Sequence, residues 1–199
     1  MRIKRFGLVG VAVLALAAVL PLSATGRGAQ HVSWAIISVS PIPLVPPLTF
    51  NPGGVASAQT PEGATITLTG SGTFVAPSGE NGGSNAVTGG GTWTTSTASG
   101  TYEVKRLVAW EFANLQALPG GLPVTDNTGD STKRANGTAV LRIEFSDGQS
   151  GVLTVGCHGP GAPAGIFEGI ATTKGFTTYY NVPAPVGTAD VGRTIFHVN

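Results

Sequence analysis

The feature that most constrains this chain is a side-chain period of two. In "TYEVKRLVAWEF", residues 101–112, the even positions Tyr102, Val104, Val108, Trp110 and Phe112 are apolar, while the odd ones include Glu103, Lys105 and Glu111. Successive side chains of a β-strand point to opposite faces, so the pattern predicts a strand with one buried face. Arg106 interrupts the apolar set beside the consecutive pair Leu107 and Val108, which marks a β-bulge.

"GTAVLRIEFSDGQSGVLTVGC", residues 137–157, predicts a hairpin. Ala139, Leu141, Ile143 and Phe145 share one face of the outgoing strand, and Leu153, Val155 and Cys157 share one face of the return. A two-residue Asp-Gly turn would set apolar side chains opposite polar ones. A three-residue loop, Ser146-Asp147-Gly148 with Gly148 left-handed, keeps odd positions against odd and pairs Leu141 with Leu153 and Ala139 with Val155. Cys157, the only cysteine, then continues the inward face, and His158 points the other way or enters the Gly-Pro loop that follows. Neighbours on a strand do not act from one face, so Cys157 and His158 read as a strand end rather than a catalytic dyad.

Other strands are predicted at "VSWAIISV", "ATITLTG", "GTFVA", "GTWTTS", "GIFEGIAT", "GFTTYYN" and "RTIFHV", and no segment sustains a helical period. The proline-rich stretch 41–54 reads as an extended crossing segment, and 77–90 and 115–135 read as glycine-rich, polar loops. Many short strands joined by turns predict an all-β fold, a single antiparallel β-barrel with a β-sandwich as the alternative. Closure would remove the open edges that a threonine-rich chain should not expose. The expected division is an N-terminal strand plus proline-rich segment over 27–60 and the barrel domain over 61–199. "GSGTF", "GGGTW" and "ASGTY" each set a glycine two residues before an aromatic, Phe74, Trp93 or Tyr102. The preferred reading is a sheet kink covered by a core aromatic, rather than a stacking platform for sugars or lipids.

The N-terminus has the three-part order of a secretory signal peptide. Arg2, Lys4 and Arg5 precede an uncharged apolar run over 6–22, and small residues follow at Ser23, Ala24 and Gly26. Residues 1–26 are therefore expected to be removed, and the protein to be secreted or periplasmic. Losing those three cations leaves eight basic against ten acidic residues, a net charge of −2. That balance lacks the basic footprint of a nucleic-acid binder and gives no electrostatic reason to adhere to anionic lipid. A lone cysteine closes no intramolecular disulfide, so the core must hold the fold.

Candidate chemistry is sparse. In "AGIFEGIA" Glu168 shares a strand face with Ile166 and Ile170, opposite Phe167, Gly169 and Ala171. With the isoleucines inside, Glu168 is a desolvated carboxyl suited to acid–base work or a partner for Arg106; with Phe167 inside, it is a surface charge. His31, His158 and His197 lack metal-ligand spacing, and no metal or cofactor is expected. "TDNTGD", 125–130, is explained by turn chemistry, and Asn136-Gly137-Thr138 matches a glycosylation acceptor.

The combination "GSGTF…GGGTW…GTYEVKRLVAWEFAN…AVLRIEFSDGQSGVLTVGCHGPGAP…IFEGIATTKGF" resembles an uncharacterised family of small exported bacterial proteins, over most of residues 64–198. "FEGIATTKG" followed by an aromatic strand is similar to the closing strands of allene oxide cyclase and dirigent-type barrels. That second resemblance implies a barrel able to hold an apolar ligand; no catalytic residue is carried over from it. The leading expectation is non-catalytic: binding of a small apolar molecule inside the barrel, or a structural role. The alternative is a cofactor-free isomerase or cyclase of allene-oxide-cyclase type, with Glu168 as its polar group and Tyr102, Trp110, Tyr179 or Tyr180 shaping the cavity.

Overall fold

The computed structural model describes residues 28–41, 46–77, 82–117, 123–182 and 192–199; the segment read as a signal peptide lies outside them. Among the described residues the chain forms strands β1 (Gln30–Ser40), β2 (Leu48–Pro52), β3 (Ala56–Gln59), β4 (Thr65–Leu68), β5 (Ser71–Ala76) and β6 (Val87–Thr94). These are followed by β7 (Ser99–Leu115), β8 (Val124–Asp126), β9 (Arg134–Phe145), β10 (Ser150–Cys157), β11 (Gly169–Lys174), β12 (Thr177–Asn181) and β13 (Arg193–Val198). A 3-10 turn, Ser131–Lys133, precedes β9. The expected all-β class is what the chain adopts.

The hairpin forms in the predicted register. Leu141 pairs with Leu153 and Ala139 with Val155. Gly148 has φ of 85°, and its N–H closes the loop on the Phe145 carbonyl. From this hairpin the pairing runs β9–β10–β11–β12–β3–β4–β6–β7 and returns to β9, every step antiparallel. A second path leaves β6 through β5, β1 and β13 and rejoins at β9. The sheet therefore runs round on itself, which leaves few free backbone edges. Beyond β1, β2 and β8 extend the sheet as a flap, and the β2–β8 pair is parallel.

One contiguous apolar cluster occupies the space within these paths. Its aromatics meet edge to face, Phe74 on Trp110 at 5.4 Å, Trp110 on Phe196 at 4.7 Å and Trp93 on Phe145 at 5.8 Å between centroids. The three glycine–aromatic repeats place Phe74, Trp93 and Tyr102 in this core. A Cβ at Gly91 would overlap the Thr69 carbonyl, so the glycine there permits a close approach of backbones. Lys174 is buried with its ammonium 4.2 Å from the Trp93 ring centroid and is paired with Asp147 of the hairpin loop.

Four expectations need correction. β7 carries the predicted bulge at Arg106, but a second one follows between Leu107 and Ala109. Each bulge shifts the face by one residue, so Leu107 turns inward, Val108 is exposed, and Trp110 returns to the core. The proline-rich stretch is more than a crossing segment, because Leu48–Pro52 pairs with β1; residues 42–45 lie outside the description. The two expected loops lend Val87–Thr94 its start and contain β8 and the 3-10 turn. Finally, β11 begins only at Gly169, so Glu168 precedes the strand and the two-face argument does not apply to it.

Candidate functional site

β1 is apolar on both faces at Trp34-Ala35-Ile36-Ile37, as is β13 at Ile195-Phe196. Ile36 and Phe196 enter the main core, while Ala35, Ile37, Val39 and Ile195 form a second cluster on the opposite face, covered by Phe50 of β2. Where this second cluster meets the chain leaving β10 there is a cavity of about 210 Å³. Its wall is apolar, from Ile37, Val39, Leu48, Phe50, Val124 and Ile195. Its polar end is made by Gln116, Cys157, His158, Glu168, Arg193 and Thr194.

Glu168 is positioned by backbone groups from two elements. The His158 N–H donates to Oε2 at 2.6 Å and the Thr194 N–H to Oε1 at 2.8 Å. Asn181 Nδ2 donates to the carbonyls of Glu168 and Ile170, which holds the main chain where it enters β11. Burial pushes the Glu168 carboxyl up; the two N–H donors and the Arg193 charge pull it back without cancelling the rise. Its partners are thus backbone amides, and the cation beside it is Arg193 rather than Arg106.

Cys157 is buried, as its place on the inward face predicts. Its thiol donates to the Thr194 carbonyl at 3.2 Å and accepts from Gln116 Nε2 at 3.2 Å. Burial, with the Glu168 charge next, drives its pKa well above the ordinary thiol value, so the nucleophilic thiolate is suppressed. His158 is exposed, and its Nδ1 lies 2.6 Å from the Ile166 carbonyl oxygen. Both residues border the cavity because the strand ends at Cys157 and the chain turns at once. Each is committed elsewhere, with no thiol–imidazole bond between them.

The turn after His158 is held from β9 and β7. Gly159 N–H donates to Asn136 Oδ1 at 2.7 Å, and Asn136 Nδ2 donates to Asn114 Oδ1 at 2.8 Å. Asn136 is fully buried by this work, so the glycosylation match is closed to a glycosyl donor. Of the other sequence candidates, Tyr102, Trp110 and Tyr179 lie in the main core and Tyr180 is exposed; none of them lines this cavity. Tyr102 and Trp110 spend their polar atoms on the Thr69 carbonyl and Gln30.

The flap that covers the cavity is anchored by a buried charge cluster. Asp126 of β8 has a 1 % exposed side chain, with Oδ2 3.1 Å from His197 Nε2 and 3.8 Å from Arg134 Nε. The Thr128 N–H and hydroxyl donate to its Oδ1, the turn chemistry expected of "TDNTGD". Burial raises the Asp126 carboxyl, but the His197 and Thr128 hydrogen bonds outweigh it and leave the pKa below the usual carboxylate value. The Arg134 guanidinium lies 5.4 Å from the centroid of the Phe50 ring, so the cluster supports a cavity wall. Local sequence gave no sign of it, because Asp126 and His197 are 71 residues apart.

Among the described residues no three His, Cys, Asp or Glu side chains gather to hold a metal ion. No helix in the described residues is long and apolar enough to cross a membrane. No protein-family model matches the chain, and no curated protein or solved structure matches it.

Proposed function

We propose that the cavity beneath β2 binds a small, mainly apolar molecule, making this a binding protein whose ligand sits outside the main core. The observation that carries the reading is a concave, apolar wall closed at one end by a few convergent polar groups. Its volume suits a ligand of about one ring, smaller than the drug-sized occupants of common pockets. The expectation of a site inside the strand ring gives way to this one, since apolar side chains occupy that interior. The test fills the wall. Purified protein is titrated calorimetrically with a panel of small apolar molecules, beside Val39→Trp, whose indole would occupy the cavity. Binding by the wild type and its loss in Val39→Trp supports the reading, and equal binding by both removes it.

A second reading is favoured by one observation, the Glu168 carboxyl with a raised pKa at the cavity wall. Such a group can move a proton to or from a bound molecule, as a cofactor-free isomerase or cyclase requires. Glu168→Gln separates the two readings: turnover lost with affinity retained indicates catalysis, and ligand bound without turnover by either protein indicates binding alone.

A further inference from the structure

The polar end of the cavity has a definite hydrogen-bonding sense, set by His158. A carbonyl oxygen only accepts, so the 2.6 Å contact between His158 Nδ1 and the Ile166 carbonyl requires the proton on Nδ1. In that tautomer the lone pair is on Nε2. Among the described residues Nε2 has no hydrogen-bond partner. Several of the other polar groups at this end already have partners within the protein. Each Glu168 oxygen takes a backbone N–H, the Cys157 thiol donates to one group and accepts from another, and the Thr194 hydroxyl donates to the Gly156 carbonyl. Arg193 lies near enough to Glu168 to favour its carboxylate, so the cation lining the cavity has a carboxyl beside it.

We infer that the ligand carries a neutral hydrogen-bond donor, a hydroxyl in the first instance, that is received by His158 Nε2 at the polar end while its apolar body lies against Ile37, Val39 and Phe50. The inference rests on the binding reading above and adds the ligand class and a specificity-determining residue. The backbone supplies the pre-organisation. The Ile166 carbonyl fixes the ring and its tautomer, and the His158 N–H is itself held by Glu168.

Two measurements test it. Long-range proton–nitrogen NMR correlations on the neutral imidazole report the tautomer directly; the Nδ1–H form is expected, and the Nε2–H form overturns the inference. Phenol and toluene are then compared by calorimetry, since they share shape and differ by hydroxyl against methyl. Wild-type protein should prefer phenol on the order of fivefold, the scale of one net hydrogen bond. His158→Phe should erase that preference while still binding toluene, and His158→Gln, which keeps an acceptor, should restore part of it. Equal affinity of the wild type for both probes overturns the inference and leaves the binding reading standing. Failure of both probes to bind, with Val39→Trp equally silent, sinks the binding reading and the inference with it.

Discussion

At the scale of single residues, two carboxyls sit in opposite electrostatic situations. Asp126 is buried but compensated by His197, Arg134 and Thr128, and its pKa is lowered. Its contribution is present above the ordinary aspartate range and is lost as pH falls through the depressed value. Asp126→Asn should cost about 3 kcal/mol at neutral pH, because it strands the Arg134 charge. Urea unfolding at several pH values checks this, and the variant should lack part of the wild-type acid decline; superimposable profiles would show that the cluster does not anchor the flap. Glu168 has the opposite sign. Its raised pKa means that stability present below the ordinary glutamate value is lost as pH rises through the folded one. Glu168→Gln should therefore flatten that part of the thermal midpoint–pH curve, while losing one of the two amide bonds. Burial of Cys157 was legible from its position on an alternating face. The Asp126 cluster was not, because its members come from β8, β9 and β13.

At the scale of elements, the β9–β10 hairpin shows how much a few residues dictate. Apolar positions demanded odd against odd, only a three-residue loop delivers that register, and Gly148 takes the left-handed conformation the loop requires. A Cβ at Gly148 would meet open space, so Gly148→Ala isolates the conformational cost. It should destabilise by about 1–2 kcal/mol in chemical denaturation, with Gly148→Asn losing less. An unchanged midpoint for the alanine variant would mean that the turn is built differently. β7 shows the limit of such reasoning. The Arg106 lapse revealed the first bulge, but the second leaves no mark in the pattern, since Leu107, Val108 and Trp110 are all apolar. Glu168 was misplaced for a related reason. Ile166 and Ile170 are both buried, yet the segment joining them is held by Asn181 and turns at Gly169, φ 105°, instead of running as a strand.

At the scale of the whole molecule, the C-terminal strand ties the two pairing paths together. β13 pairs with β1 over Val32–Ile37 and with β9 at Ala135 and Arg134, and it brings Phe196 to the main core and Ile195 to the second. Removing residues 193–199 should abolish the cooperative thermal transition, because β1 loses its partner over Val32–Ile37 and β9 loses one at Arg134 and Ala135. A truncated chain that still melts cooperatively would show that this closure is dispensable. The same strand supplies Arg193, Thr194 and Ile195 to the cavity, so fold and candidate site depend on one element.

By itself the amino-acid sequence determined the strand class, the inward face of most strands, the hairpin register and the turn residues. All of these depend on contacts within a few positions, where a period of two and the steric freedom of glycine act directly. Only the tertiary structure decided which strands meet, and hence that the cavity lies under β2 with Glu168 and His158 at its polar end. Its walls are drawn from β1, β2, β8, β10 and β13, and contacts between segments so far apart are selected by closure and packing of the whole sheet rather than by any local pattern.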